Sequence, residues 1–201
     1  MADKPEDLMK TLFATLFVSL AALGAPLAAT GRAADAAQEA QRKDLQVFND
    51  IADQVNRYTQ LNIFDSISAE VTGGRVVLSG WVTMPYKRDD LERRARKVEG
   101  VTALDNQIGV LPVSHFDDEL RFRIARAIYG HSSFWQYAAM VNPPIRIVVN
   151  RGHVSLEGVV QSNVERMLAR SLASGFGAFK VTNELKTDAE VREAMETRKS
   201  N

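Results

Sequence analysis

The sequence has no cysteine and only three histidines, His115, His131 and His153. Without cysteine there is no disulfide framework, no thiolate zinc or iron–sulfur site, no cysteine nucleophile and no thiol-linked lipid anchor. The histidines are scattered without ligand spacing, so neither a metal centre nor a catalytic cluster is expected of them. Net charge is also lacking: 25 basic residues balance 25 acidic ones, which disfavours a nucleic-acid partner held by bulk positive charge. There is no G-x-S-x-G elbow, no H-E-x-x-H, no G-x-G-x-x-G and no phosphate loop ending in Lys-Ser or Lys-Thr. The expectation is a non-enzymatic protein with no cofactor and no metal. The 201 residues, 45% hydrophobic and 25% charged, suit one or two globular domains with cores of their own.

Charge is missing altogether from Thr11 to Gly31. The apolar stretch from Leu12 to Ala29 reads as the central region of a secretory signal peptide, with Ala34-Asp35-Ala36 as an A-x-A cleavage pattern and Ala22-Leu23-Gly24 as a weaker one. If retained, it is long enough to span a membrane. The departure is the amino-terminal end, where Asp3, Glu6 and Asp7 outnumber Lys4 and Lys10. A run with no polar face argues against a buried helix of the fold. Residues 1–36 are therefore expected to be a signal peptide or membrane anchor, and residues 37–43 a linker. Either reading exports the rest of the chain.

The body of the chain is one unit written twice. Gly74-Arg75-Val76-Val77-Leu78-Ser79-Gly80 aligns with Gly152-His153-Val154-Ser155-Leu156-Glu157-Gly158. In the same frame Ile67, Ala69 and Val71 match Ile145, Ile147 and Val149. Each unit opens with apolar residues every four positions, Val47, Ile51 and Val55 or Leu120, Ile124 and Ile128, which predicts a helix with one buried stripe. Period-two alternation around a glycine turn then predicts a β-hairpin. A second helix starts near Pro85 in the first unit, and at the capping-box pattern Ser162-Asn163-Val164-Glu165 in the second. A last strand, 103–110 or 181–186, closes each unit. The glycines carry structure rather than chemistry: Gly74 and Gly152 for positive φ in the turn, Gly80 and Gly158 for a bend or close approach. The expected fold class is α+β: two tandem αββαβ domains, each a small three-stranded sheet with two helices packed on one face. The domains span 44–111 and 117–187, joined by a linker at 112–116 that includes His115. A charged tail, 188–201, reads as a frayed helix.

This pattern resembles the BON domain (bacterial OsmY and nodulation), a helix–hairpin–helix–strand unit marked by Gly-x-Val-x-Leu-x-Gly. Both copies of that run fit, and Asn106 and Asn183 approximate the asparagine that family members carry before the last strand. Phe179 stands where valine is usual. The resemblance covers roughly residues 44–187. It implies a periplasmic envelope protein, held at the inner membrane if the amino-terminal segment is uncleaved, with a role in envelope maintenance or osmotic stress. It also implies binding to anionic phospholipid surfaces through the second domain, including its first helix.

The two first helices differ on the face away from the core. Asn49, Asp50, Asp53 and Asn56 become Phe122, Arg123, Arg126 and Tyr129. Phe122, Arg126 and Tyr129 share one helix face. The second copy also has a longer connection before its first strand. Phe64 is expected to plug the first core and Phe134 the second, which makes Trp135, Tyr137 and Met140 surplus. Surplus rings beside arginines suit a lipid headgroup interface. The expected lipid-binding residues are Phe122, Arg123, Arg126, Tyr129, Trp135 and Tyr137, with envelope proteins as further partners. Two competing expectations remain open: that Phe122, Tyr129 and Trp135 pack between the repeats or against another subunit, and that the protein is a periplasmic chaperone or protein-interaction module. The basic run 93–97 is read as a solvated helix face, paired as Asp89 with Arg93, Asp90 with Arg94 and Glu92 with Arg96.

Overall fold

The computed structural model describes residues 28–200. Gln38–Asn201 forms a compact unit of its own; of the other unit, Met1–Ala37, only the stretch from Ala28 is described. Most of the expected signal segment thus lies outside the described residues. Helix α1 runs without a break over Ala28–Asn56, so the Ala34–Ala36 pattern and the expected linker at 37–43 are helical. No helix among the described residues is long and apolar enough to cross a membrane.

The first domain continues with β1 (Ser66–Thr72), β2 (Arg75–Val82), α2 (Pro85–Ala95), β3 (Ala103–Asn106) and β4 (Gly109–Val110). The second contains α3 (His115–Tyr129), a 3₁₀ turn (Ser132–Phe134), α4 (Trp135–Ala138), β5 (Ile145–Asn150), β6 (His153–Val160), α5 (Asn163–Ala173) and β7 (Lys180–Thr187), followed by α6 (Asp188–Ser200). The αββαβ order therefore occurs twice. β1 and β2 pair antiparallel with Val71 opposite Val76, and β5 and β6 pair with Val149 opposite Val154. The crossover through α2 or α5 returns the chain so that the closing strand lies parallel to the second strand, which is central in both sheets. In the first domain that closing strand is interrupted at Gln107 and Ile108, and β3 and β4 both pair with β2.

Alternation buries one sheet face under the helices. In the first core Val47, Ile51, Leu91 and Ala95 cover Val76, Leu78 and Val82; in the second Leu120, Ile124, Ile128, Ala169 and Ala173 cover Ile145, Ile147, Val149, Val154 and Leu156. Both hairpins need glycine late in the second strand. Gly80 and Gly158 hold φ of 114° and 116°, and a Cβ would collide with the carbonyl oxygen of Ser66 or Pro144. Ser114 caps α3 by accepting from the Asp117 amide at 3.2 Å, so His115 opens the helix rather than sitting in a linker. Ser162 caps α5 in the same way through the Glu165 amide, but the Glu165 carboxylate reaches back to the amide of Gln161 at 2.9 Å rather than to Ser162. The tail helix α6 is tied at its first turn. Thr187 and Glu190 exchange side-chain-to-amide bonds of 2.8 and 3.3 Å, and Arg166 on α5 grips the Glu190 carboxylate at 2.8 Å.

The two repeats are joined by more than a linker. The outer edge of β5 is covered by the loop before β1: the Ile147 amide donates to the Ile63 carbonyl at 2.8 Å. Arg146 donates to the Asn62 carbonyl at 3.1 Å, and the Ser66 hydroxyl donates to the Glu157 carboxylate at 2.5 Å. Ile63 and Phe64 pack against the second domain's core. Phe64 therefore does not plug the first core, as its position relative to Phe134 suggests. Tyr58 and Leu61 pack in the first core instead.

Candidate functional site

Both repeats use an aspartate three residues before the buried stripe of the first helix, mid-way along α1 and in the first turn of α3, to hold the hairpin turn. Asp44 accepts from the amides of Gly73 and Gly74 at 2.7 and 2.9 Å. Asp117 accepts from Arg151 and Gly152, each at 2.8 Å, and is 1% exposed. Two adjacent amides on one carboxylate form a small anion cradle, filled here by the protein's own side chain. The paired asparagines also have matching roles. Asn106 and Asn183 donate to the Arg88 and Arg166 carbonyls, tying the second helix to the last strand, and accept from the amide two residues on. This repeated geometry has a counterpart in known sequences: the family model described as the BON domain matches residues 48–112 and 117–189.

The chain belongs to the BON domain family. BON is a non-catalytic domain family; its members occur in periplasmic and envelope proteins and in general bind phospholipids. Among curated proteins none matches the chain. Two solved structures of CdsD, a structural protein of the type III secretion system of Chlamydia trachomatis, are similar at low level. The C-terminal domain of CdsD is 16% identical, with 61% of this chain covering 56% of that one at a TM-score of 0.26. The other is 13% identical, covering 76% and 98% at a TM-score of 0.26.

The second BON domain carries the residues singled out by the sequence. Leu120, Ile124 and Ile128 pin α3 to its sheet, so Glu119, Phe122, Arg123 and Arg126 stand on the opposite side. Phe122 is 63% exposed, and its ring meets that of Phe64 edge-on at 5.4 Å. Arg123 is paired with Glu119. Arg126, one turn beyond Phe122, has no ion pair among the described residues. These residues, with His115, Asp118 and Phe176, line an open cleft of about 790 Å³. Packing between repeats thus accounts for one edge of Phe122 and leaves most of the ring free.

The other three rings separate. Trp135 is 68% exposed on α4. Tyr129 is half-buried, and its hydroxyl donates to the Ile145 carbonyl at 2.5 Å. Burial pushes that phenol's pKa up, against the opposing pull of Arg146. Tyr137 is 3% exposed and packs in the core against Phe134, which corrects the view that it is surplus. The longer connection folds as a 3₁₀ turn and one turn of helix. This turns Phe134 and Tyr137, three apart, inward and Trp135 outward. The Tyr137 hydroxyl donates to Glu165 at 2.7 Å and accepts from the Gln161 amide at 2.9 Å. Burial, then the bond to Glu165, pushes its pKa up to about 12. The structure therefore gathers Phe122, Arg123 and Arg126 on one helix face, leaves Trp135 free, and uses Tyr129 and Tyr137 to tie backbone.

The three arginines of the basic run in the first BON domain are engaged. Arg94 lies 4.7 Å above the Tyr58 ring, whose hydroxyl donates to Asp90 at 2.6 Å. Asp90 pairs with Arg93 rather than Arg94, and Asp89 with Arg88; of the three expected pairs Glu92 with Arg96 forms, at 2.7 Å. Sequence reasoning missed the buried pair Lys87–Asp65, 2.7 Å apart with side chains 3% and 0% exposed, and its partner Thr83. A lysine among the polar residues of α2 gives no sign that it faces inward.

Proposed function

We propose that this protein binds the surface of anionic phospholipid membranes through the outer face of α3, as an exported, non-enzymatic envelope protein serving envelope maintenance or osmotic stress. The observation that carries this reading is an exposed Phe122 one helical turn from the exposed Arg126, which has no ion pair among the described residues, both lining an open cleft. An aromatic ring at the acyl boundary and a guanidinium on headgroup phosphate are complementary parts of such a contact. Arg123 and Trp135 extend it. Family membership supports it, since BON domains in general bind phospholipids.

The test is flotation of the Gln38–Asn201 unit with phosphatidylglycerol or phosphatidylcholine vesicles across a salt series. Co-flotation with the anionic vesicles alone, lost as salt rises, is the expected result. Phe122→Ala with Arg126→Ala should lower binding by about a hundredfold, each truncation removing about tenfold. Flotation that ignores lipid charge, or a double variant that binds as well as its parent, would reject this site. The chaperone or protein-interaction reading would then take its place.

A further inference from the structure

The end of the second domain that holds the β5–β6 turn carries three aromatic rings in contact. Phe116, in the first turn of α3, stacks on Phe179 with centroids 6.0 Å apart. His153 meets Phe179 edge-on at 6.1 Å. Phe179 is 75% exposed and Phe116 47%, so the pair is held in the open. Arg151 lies in the turn, and Lys180 pairs with His153 across the sheet; both are exposed and have no ion pair among the described residues. The nearby carboxylates are already engaged: Asp117 holds the turn amides and Asp118 is paired with Arg121. Glu119, one turn beyond Phe116, is paired with Arg123, so the charges beside the rings that have no ion pair among the described residues are Arg151 and Lys180.

The fold does not require these rings. The first domain builds the same turn on Asp44 with Lys43, Arg75 and Val101 at the matching positions. Its cleft there, about 420 Å³, is lined by Asp44, Asp50 and Glu99. Lys43 also lines it and Arg75 is exposed beside it, so this end of the first domain carries both signs of charge and no ring, whereas the second carries the aromatic cluster. Exposed apolar rings inside a basic rim match an anionic lipid surface, because the rings gain from leaving water while the cations meet phosphate.

We propose that Phe116 and Phe179 form a second lipid contact, which inserts at the acyl boundary while Arg151 and Lys180 engage headgroup phosphates. This rests on the membrane reading of α3. His115 lines the α3 cleft and precedes Phe116, so the two areas are continuous.

The test uses the Gln38–Asn201 unit, which contains both cores, and phosphatidylglycerol vesicles at low salt. Phe116→Ala with Phe179→Val should weaken partition by about tenfold, valine being the residue that the first domain carries at the matching position, Val101. The chain has no cysteine, so Lys180→Cys accepts a single environment-sensitive fluorophore. Its emission should shift to the blue on adding vesicles and be quenched by brominated acyl chains, while a label at Glu70→Cys in the first domain should not respond. If the aromatic double variant binds like its parent while the Phe122 and Arg126 variant is weakened, the end cluster does not touch lipid and the α3 reading survives. If the parent does not bind at all, both readings fall. A label at 180 that responds to added protein but not to vesicles would overturn the proposal in favour of a polypeptide partner.

Discussion

Where the hairpin meets the second helix, the first domain buries a charged pair and the second a phenol. Lys87 reaches Asp65 and Thr83 at 2.7 and 2.8 Å. The residue matching Lys87 is Glu165, and it takes the Tyr137 hydroxyl instead. Each solution satisfies a carboxylate and fixes the start of a helix. They differ in what a lost partner leaves behind: in the first domain a buried carboxylate without its cation, held only by the Asn62 amide and the Thr83 amide and hydroxyl, and in the second an unfilled hydrogen bond. Duplicated backbones thus keep their turns and glycines while the side chains that tie them diverge.

The widest expected gap between the repeats lies at these two networks. Lys87→Met should cost about 3 kcal/mol by leaving the buried Asp65 carboxylate with amide and hydroxyl donors but no cation, whereas Tyr137→Phe should cost about 1 kcal/mol; urea unfolding of the Gln38–Asn201 unit measures both. Equal losses would remove the distinction. The aspartate clamps should differ less. Asp117→Ala, at a site 1% exposed, should cost about 2–3 kcal/mol, and Asp44→Ala, at a half-buried site where the Gly73 amide is open to water, about 1 kcal/mol. Melting curves of the two variants compare them directly.

The smallest effect concerns the joint, where Glu157 stands in place of Ser79. Burial raises its pKa above the usual glutamate range; the hydrogen bond from Ser66 opposes this, and Glu184 adds to it. A carboxyl raised in this way holds its proton more tightly in the folded chain. Its contribution to stability is present below the ordinary glutamate value and is lost as pH rises through the raised one. Glu157→Gln should flatten that part of the stability–pH curve in urea titrations run from acid to neutral. An unchanged slope would show that the carboxyl is not desolvated at the joint.

Much of this organisation is legible in the sequence because it rests on local periodicity. The paired Gly-x-Val-x-Leu-x-Gly runs mark both hairpins, and the four-residue spacing of Leu120, Ile124 and Ile128 marks the buried side of α3, hence the exposed side bearing Phe122 and Arg126. What is illegible depends on distant contacts. Alignment puts Phe64 beside its own core, but nothing local says that its loop covers the edge strand of the next repeat. Tyr137 reads as a surface ring because its burial depends on Glu165 supplying a partner for the hydroxyl. The clamp role of Asp44 and Asp117 has a faint signal, one aspartate three residues before the buried stripe in both copies, but Asp117 near its helix start suggests only a favourable charge at that end, and Asp44, mid-way along α1, suggests only a solvated position.

The loop Asn62–Phe64 has a consequence for how the molecule comes apart. Val113, between the repeats, is fully exposed and is a natural point for a protease to cut. Severing the chain there would not free two halves. The amino-terminal piece would still supply the edge bond to Ile147 and the apolar pair Ile63 and Phe64 to the carboxy-terminal core. The fragments should migrate together as a nicked complex and part only under denaturing conditions, so intact size in a native column is no proof of an intact chain.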